Sequence, residues 1–141
     1  MAHAHTRFLA QSEEAAHLAL EVGAASAKRV VAVDPQFTPR TGNLQKKTKT
    51  KVVRTKGGYL MKLTNDAPYA AAIDKGAAAH VIRPKRSAFL QFRIGGRWVR
   101  TKSVNHPGNR AYRFLSRAHE AAGSTTERVL RARLSAIAAR F

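Results

Sequence analysis

The chain has 141 residues, with 26 Lys and Arg against 8 Asp and Glu, a net charge of +18 and no cysteine. That length fits one domain, residues 1–141, able to bury a core without covalent staples. Disulfides and thiolate-held metals are excluded, and no apolar run approaches the ~20 residues of a membrane-spanning helix. Glu13, Glu14 and His17 interrupt any charged-then-apolar leader pattern, so a cytoplasmic protein is expected.

Residues 1–7 read as a disordered end. Residues 8–33 carry Leu9, Ala16, Leu20, Ala24, Ala27 and Val31 at helical spacing, widened by Phe8, Ala15, Ala19, Val22 and Val30. Pro35 stops this helix and pushes Asp34 toward extended geometry. Residues 34–43, DPQFTPRTGN, form a loop. A strand is predicted from Leu44, in which Lys47, Lys49 and Lys51 alternate with Thr48 and Thr50 to give a basic face. Gly57-Gly58 turns it into a return strand, Tyr59 to Asn65, and the basic hairpin 44–65 is a candidate arm. Residues 69–76 predict a short helix ended by Gly76, and HVIRP a short strand ended by Pro84. Phe89 to Ile94 and Arg97 to Lys102 flank Gly95-Gly96 as a second hairpin, with Phe92 and Ile94 on a buried face. After the NHPGNR elbow, a helix starts near Tyr112, pauses at Gly123 and restarts at Ser124, which has capping-box spacing to Glu127. Leu130, Leu134, Ile137 and Phe141 make its apolar stripe. The order specifies an α+β fold: an antiparallel sheet of two hairpins packed by a long N-terminal helix and a C-terminal helix.

Catalytic patterns are absent from the sequence. His3 and His5 lie at the frayed end, His17 and His119 fall in helices, and His80 and His106 each precede a Pro-containing segment. No phosphate loop, nucleophile elbow or HExxH spacing occurs. Metal-dependent nucleases and glycosidases need two or more converging acids; Asp66 and Asp74, the only ones between Asp34 and Glu120, would have to share a site eight residues apart across Pro68, which is not the expectation. The expectation is a protein that is not an enzyme, with no cofactor and no metal; a small hydrolase using His80 or His106 is the remote alternative.

A field of this sign attracts polyanions and opposes self-association. Three cationic clusters could lie along phosphates: Lys47, Lys49, Lys51 and Arg54; Arg83, Lys85 and Arg86; and Arg93, Arg97, Arg100 and Lys102. The same lysines are also what a solvated edge strand carries, and codon bias alone can make a protein basic. Aromatics are 7% of the chain, a poor supply for a base-stacking platform. Sequence-non-specific nucleic-acid binding is one open reading.

Four ordered segments point elsewhere. They are Pro39-Arg40-Thr41-Gly42-Asn43-Leu44; Ala67-Pro68-Tyr69-Ala70 with Ile73-Asp74-Lys75-Gly76; the VIRPKRSAFLQF region; and His106-Pro107-Gly108 with Phe114-Leu115. In that order and spacing, over residues ~36–141, the chain resembles the tail-completion or head–tail joining (neck) proteins of long-tailed bacteriophages. It departs from the family pattern at Asp74, where glutamate is commoner, and at Ala77, where a threonine often follows the glycine. The resemblance implies a structural virion protein of the neck, present in the host cytoplasm during assembly. Its partners would be copies of itself in a homo-oligomeric ring, with six-fold symmetry expected, head connector or stopper proteins, and tail terminator or tail tube proteins. Contact with packaged DNA is also implied, and no membrane. The motif residues Thr41, Gly42, Leu44, Tyr69, Asp74, Gly76, His106, Pro107, Gly108, Phe114 and Leu115 are then the expected subunit or partner interface. Contact with DNA or an acidic partner is expected from Lys47, Lys49, Lys51, Arg54, Arg83, Lys85, Arg86, Arg110 and Arg113. Pro107 fixes one backbone angle and Gly108 permits a left-handed one, so the elbow would aim the last helix, anchored by Phe114 and Leu115.

Overall fold

Small residues at a four-residue interval bring the two long helices together. The computed structural model describes residues 2–33, 36–39 and 41–140. Helix α1 (Ala2–Val33) buries Ala15, Ala19, Gly23, Ala27 and Val31 along one seam. Helix α4 (Phe114–Ala138) answers with Phe114, Ala118 and Ala122. The helices run antiparallel: Gln11 and Ala15 lie near Arg133 and Ile137, Ser26 meets Thr125 at 3.2 Å, and Val31 and Phe114 share the core. Gly23 marks the closest approach, because a Cβ there would sit 2.8 Å from the Ala122 carbonyl oxygen. The seam is therefore rotated from the predicted stripe, and Leu9 and Val22 are exposed. Alanine and glycine, not the larger apolar residues, permit the close backbone contact that buries most area.

Between the helices lie α2 (Asn43–Lys47), β1 (Thr48–Thr55), β2 (Gly58–Asn65), α3 (Ala70–Lys75), β3 (His80–Ile82), β4 (Leu90–Ile94), β5 (Arg97–Thr101) and β6 (Val104–His106). The fold is α+β, as the sequence predicts. The strands pair as three two-stranded antiparallel sheets, β1–β2, β3–β6 and β4–β5. In β1–β2, Thr50, Val52 and Arg54 face the same way as their partners Leu63, Met61 and Tyr59. That face lies along α1, where Tyr59 stacks on His17 at 4.8 Å and Arg54 pairs with Glu13 at 3.2 Å. The core cluster joins Val31, Leu44, Ala67, Ala70 and Phe114, with Phe37, Met61 and Leu63 packed around it.

Several boundaries differ from the sequence reading. α1 begins at Ala2, since nothing in AHAHTR breaks a helix, so residues described within 1–7 are helical. The expected strand from Leu44 is instead a helical turn. Gly42 enters it at φ 66°, Leu44 turns inward to the core, and the Thr48 hydroxyl donates to the Leu44 carbonyl at 2.8 Å. α4 passes through Gly123 without a pause, because the flanking Ala122 and Thr126 are held on α1 and one helical glycine costs only ~1 kcal/mol. The Ser124 capping box is therefore unused. The stop at Asp34 and Pro35, the motif residue Arg40 and the stripe residue Phe141 lie outside the described residues.

Candidate functional site

The elbow that the sequence singles out forms the base of a long ribbon. Ala77 pairs with Asn109, His80 with His106 and Ile82 with Val104, all in one register. The ribbon continues, shifted in register, as Leu90 opposite Thr101 through Ile94 opposite Arg97. The shift arises because seven residues, 83–89, bulge on one side opposite only Lys102 and Ser103 on the other. At the tip, Gly95 and Gly96 have φ 53° and 83°, the two positive angles a tight hairpin turn needs. The arm of the molecule is thus 77–109. The predicted arm 44–65 lies flat on α1 instead, because its apolar face is covered there.

Among the described residues no other helix or strand packs extensively on β4–β5. One face carries Leu90, Phe92, Ile94, Arg97, Val99 and Thr101, and Ile94 is 62% exposed. The predicted burial of Ile94 fails for that reason: the alternation is right, but no layer covers it. The ribbon contains seven Lys and Arg and no Asp or Glu. Among the described residues none of those seven forms an ion pair.

The motif residues converge where ribbon, α3 and α4 meet. Gly76 and Gly108 have φ 82° each. A Cβ on Gly76 would come within 2.9 Å of the Ala111 nitrogen, and one on Gly108 within 2.2 Å of the Ala77 oxygen. Both glycines are required because two backbones cross there. Asp74 is buried, and its carboxylate accepts from the Leu115 amide at 2.8 Å. It caps α4 from a distance, in place of Arg113, which enters the helix at φ 51° with no side-chain cap. That entry explains why α4 starts at Phe114 and not Tyr112. The Arg113 amide bonds the Asp74 carbonyl at 2.9 Å, and Asn109 donates to the Ala72 carbonyl at 2.9 Å. Phe114 is wholly buried, edge-on to Phe37 at 5.7 Å.

These positions revise the expected interface. Leu44, Asp74 and Phe114 are buried within the chain's own interior. Thr41, Gly42 and Tyr69 do line a groove of about 270 Å³ with Phe37, Pro39 and Ile73, and Asn43 donates to the Tyr69 hydroxyl at 2.8 Å. Tyr69 keeps 42% of its surface exposed. His80 and His106 meet, with ring centroids 5.0 Å apart. Both rings are tied to nearby backbone: the Gly108 amide donates to His106 Nδ1 at 3.0 Å, and His80 Nδ1 lies 2.8 Å from the Ala78 carbonyl. Pro107 is exposed between them and the glycine.

The expected cationic contacts divide. Lys49 pairs with Asp66, Arg54 with Glu13 and Arg113 with Glu120, so three are neutralised within the chain. Lys47 sits on the α2 turn, off the strand. Lys51 stands directly opposite Lys62, on the face of β1–β2 turned from α1. Arg83, Lys85 and Arg86 are exposed on the bulge, and Arg110 lies over the Tyr112 ring at 5.0 Å. Sequence reading overlooked Phe89 and Trp98, which the hairpin register places beside Arg100 and Arg93. The period-2 alternation held that signal.

Among the described residues no group of three or more His, Asp or Glu is placed to hold a metal, and no helix is long and apolar enough to cross a membrane. Comparison with protein-family models, curated protein sequences and solved structures gives no match.

Proposed function

We propose that the chain is a structural subunit of a phage neck, one copy in a ring that joins the head connector to the tail. One observation carries the reading. Three of the four segments on which the resemblance rests meet at a single junction, from which the fourth, residues 81–92, runs out along the ribbon: Leu44 and Phe114 in one core, Asp74 on Leu115, Gly76 against Asn109 and Arg110, Gly108 against Ala77. Motifs kept in order along a chain and joined in space behave as one folding unit.

The arm fits that role. A two-stranded hairpin is marginal alone in water, and this one carries half-buried Leu90, Phe92 and Val99 and exposed Ile94 on a face that, among the described residues, no other helix or strand packs extensively against. In a ring, contacts are head-to-tail, so one patch meets a different patch on the neighbour. The groove at Thr41, Gly42 and Tyr69 is the matching patch in this reading. The charge of +18 would hold free subunits apart until an anionic partner neutralises it. The role is structural, not catalytic, and needs no cofactor. Deleting the gene from its genome and imaging the lysate by electron microscopy tests it. DNA-filled heads beside unattached tails are expected; normal tailed particles would refute the neck role.

A second reading, a free sequence-non-specific nucleic-acid-binding protein, is favoured by the acid-free ribbon. It predicts that DNA alone brings the protein to its working state, with no change on adding head or tail components.

A further inference from the structure

We propose that the Arg- and aromatic-bearing face of β4–β5 binds a nucleic-acid strand, with phosphates on Arg93 and Arg100 and a base on Trp98. The inference does not depend on the neck reading; it rests on the second, nucleic-acid-binding one and deepens it by naming the face and the contacts. Alternation places Gln91 and Arg93 on the same face as Trp98 and Arg100, and the contact with Arg100 brings Phe89 to that face. The Arg100 guanidinium lies 4.2 Å from the Phe89 ring centroid, and that of Arg93 lies 5.6 Å from the Trp98 ring. Arg93 is further fixed by a 3.0 Å bond to the Gly96 carbonyl. A guanidinium held against a ring still has N–H groups to offer phosphate oxygens, five on Arg100 and those of Arg93 that Gly96 does not take.

Trp98 is 65% exposed although large and apolar. Its open ring suits a stacking base, and base–aromatic stacking is indifferent to sequence. No acidic residue lies between Asp74 and Glu120, so nothing on the ribbon repels phosphate. Arg83, Lys85 and Arg86 on the adjoining bulge extend the cationic track. An acidic protein surface would need the charges but not the exposed ring, which is why nucleic acid is the better fit.

Trp98 is the only tryptophan, so its emission reports on this face alone. The full-length protein is titrated with a short labelled single-stranded DNA, a duplex of the same sequence, and poly-glutamate, at several salt concentrations. Single-stranded DNA is expected to quench Trp98 at saturation. Arg93→Ala with Arg100→Ala should reduce the slope of log K against log salt by about 1.4, two phosphates at ~0.7 each. Trp98→Ala should weaken binding roughly tenfold with the slope unchanged, as loss of one stacked base predicts. The duplex should bind through the same arginines with less quenching. Arg128→Ala with Arg133→Ala removes equal charge from exposed positions on α4 and should leave the quenching intact. The proposal is overturned if Trp98 emission does not change at saturation, or if the α4 variant loses as much affinity and slope as the arm variant. Equal quenching by poly-glutamate would also overturn it and assign the face to an acidic protein.

Discussion

Replacing Gly108 by alanine puts a methyl group where the two strands of the ribbon cross. At φ 82° an L-residue carries about 1–2 kcal/mol of strain. The new Cβ would lie 2.2 Å from the Ala77 oxygen, 2.8 Å from the Ala78 carbonyl carbon and 2.9 Å from the Ala79 nitrogen. All three are backbone atoms, so no rotamer change relieves the clash, and the strands must part by about 1 Å to reach contact distance. That movement stretches the two bonds between Ala77 and Asn109, now 3.0 and 2.9 Å, each worth ~1 kcal/mol net. The sum is about 3–4 kcal/mol, which for a chain of this size lowers Tm by roughly 10 °C. Gly42→Ala is the control. Its φ is 66°, but the nearest atom to a Cβ is the flexible Lys46 Cε at 4.0 Å, so only the strain of about 1–2 kcal/mol applies. Thermal unfolding followed by circular dichroism, with amide exchange at Ala77 and Asn109, measures both variants. Equal losses, or unchanged exchange at Ala77 and Asn109 in Gly108→Ala, would refute the crossing.

Three other substitutions test the junction and the helices. Phe114→Ala removes a side chain with no exposed surface and its edge-on contact with Phe37; a loss of about 3–5 kcal/mol in guanidinium unfolding is expected. Asp74→Ala leaves the Leu115 amide without its acceptor and should cost about 1–2 kcal/mol, whereas Asp74→Asn, still an acceptor, should cost under ~0.5. Gly123→Ala adds a methyl on an exposed stretch of α4 with no atom within 4 Å, and should stabilise by about 0.5–1 kcal/mol, read as a higher Tm.

Periodicity carries local structure well and packing poorly here. Both hairpins, the short helix ended by Gly76 and the two long helices were legible from alternation and turn residues. The three-sheet arrangement was not, because β3 and β6 are three residues each and 22 residues apart at their inner ends, beyond any local pattern. Lys-Thr alternation after Leu44 points to a strand start; burial of Leu44 in the core, which needs Phe37 and Phe114 in place, selects the helical turn. The elbow was recognised from Pro107 and Gly108, but its purpose depends on Ala77, which the sequence gives no reason to single out. Asp74 illustrates the same limit: a cap supplied 41 residues away from the amide it serves has no sequence signature. For the site, charge identified the cations, while only three-dimensional pairing separates those already neutralised from those on the ribbon.

The placement of the acids explains how a chain this basic folds, and it leads to a test. All eight lie at or before Asp74 or at or after Glu120, outside the ribbon. The pairs they form, Arg54 with Glu13, Lys49 with Asp66, Arg113 with Glu120 and Arg131 with Glu127, are exposed, so each is worth at most ~1 kcal/mol. Their larger effect is to lower the charge density around the buried core. The ribbon keeps its seven cations unrelieved, in the part of the molecule with the fewest tertiary contacts. Repulsion there is opposed only by a hairpin that is marginal by itself. Screening should therefore order the arm before it affects the core. Raising sodium chloride from about 0.01 to 0.15 M shortens the Debye length from ~30 to ~8 Å, comparable to spacings along one strand. Amide exchange at Phe92 and Val99 should slow across that range, while exchange at Ala19 and Ala118 stays constant. Arm exchange that does not respond to salt would mean that the cations on the ribbon do not strain it, and that an anionic partner has no repulsion there to relieve.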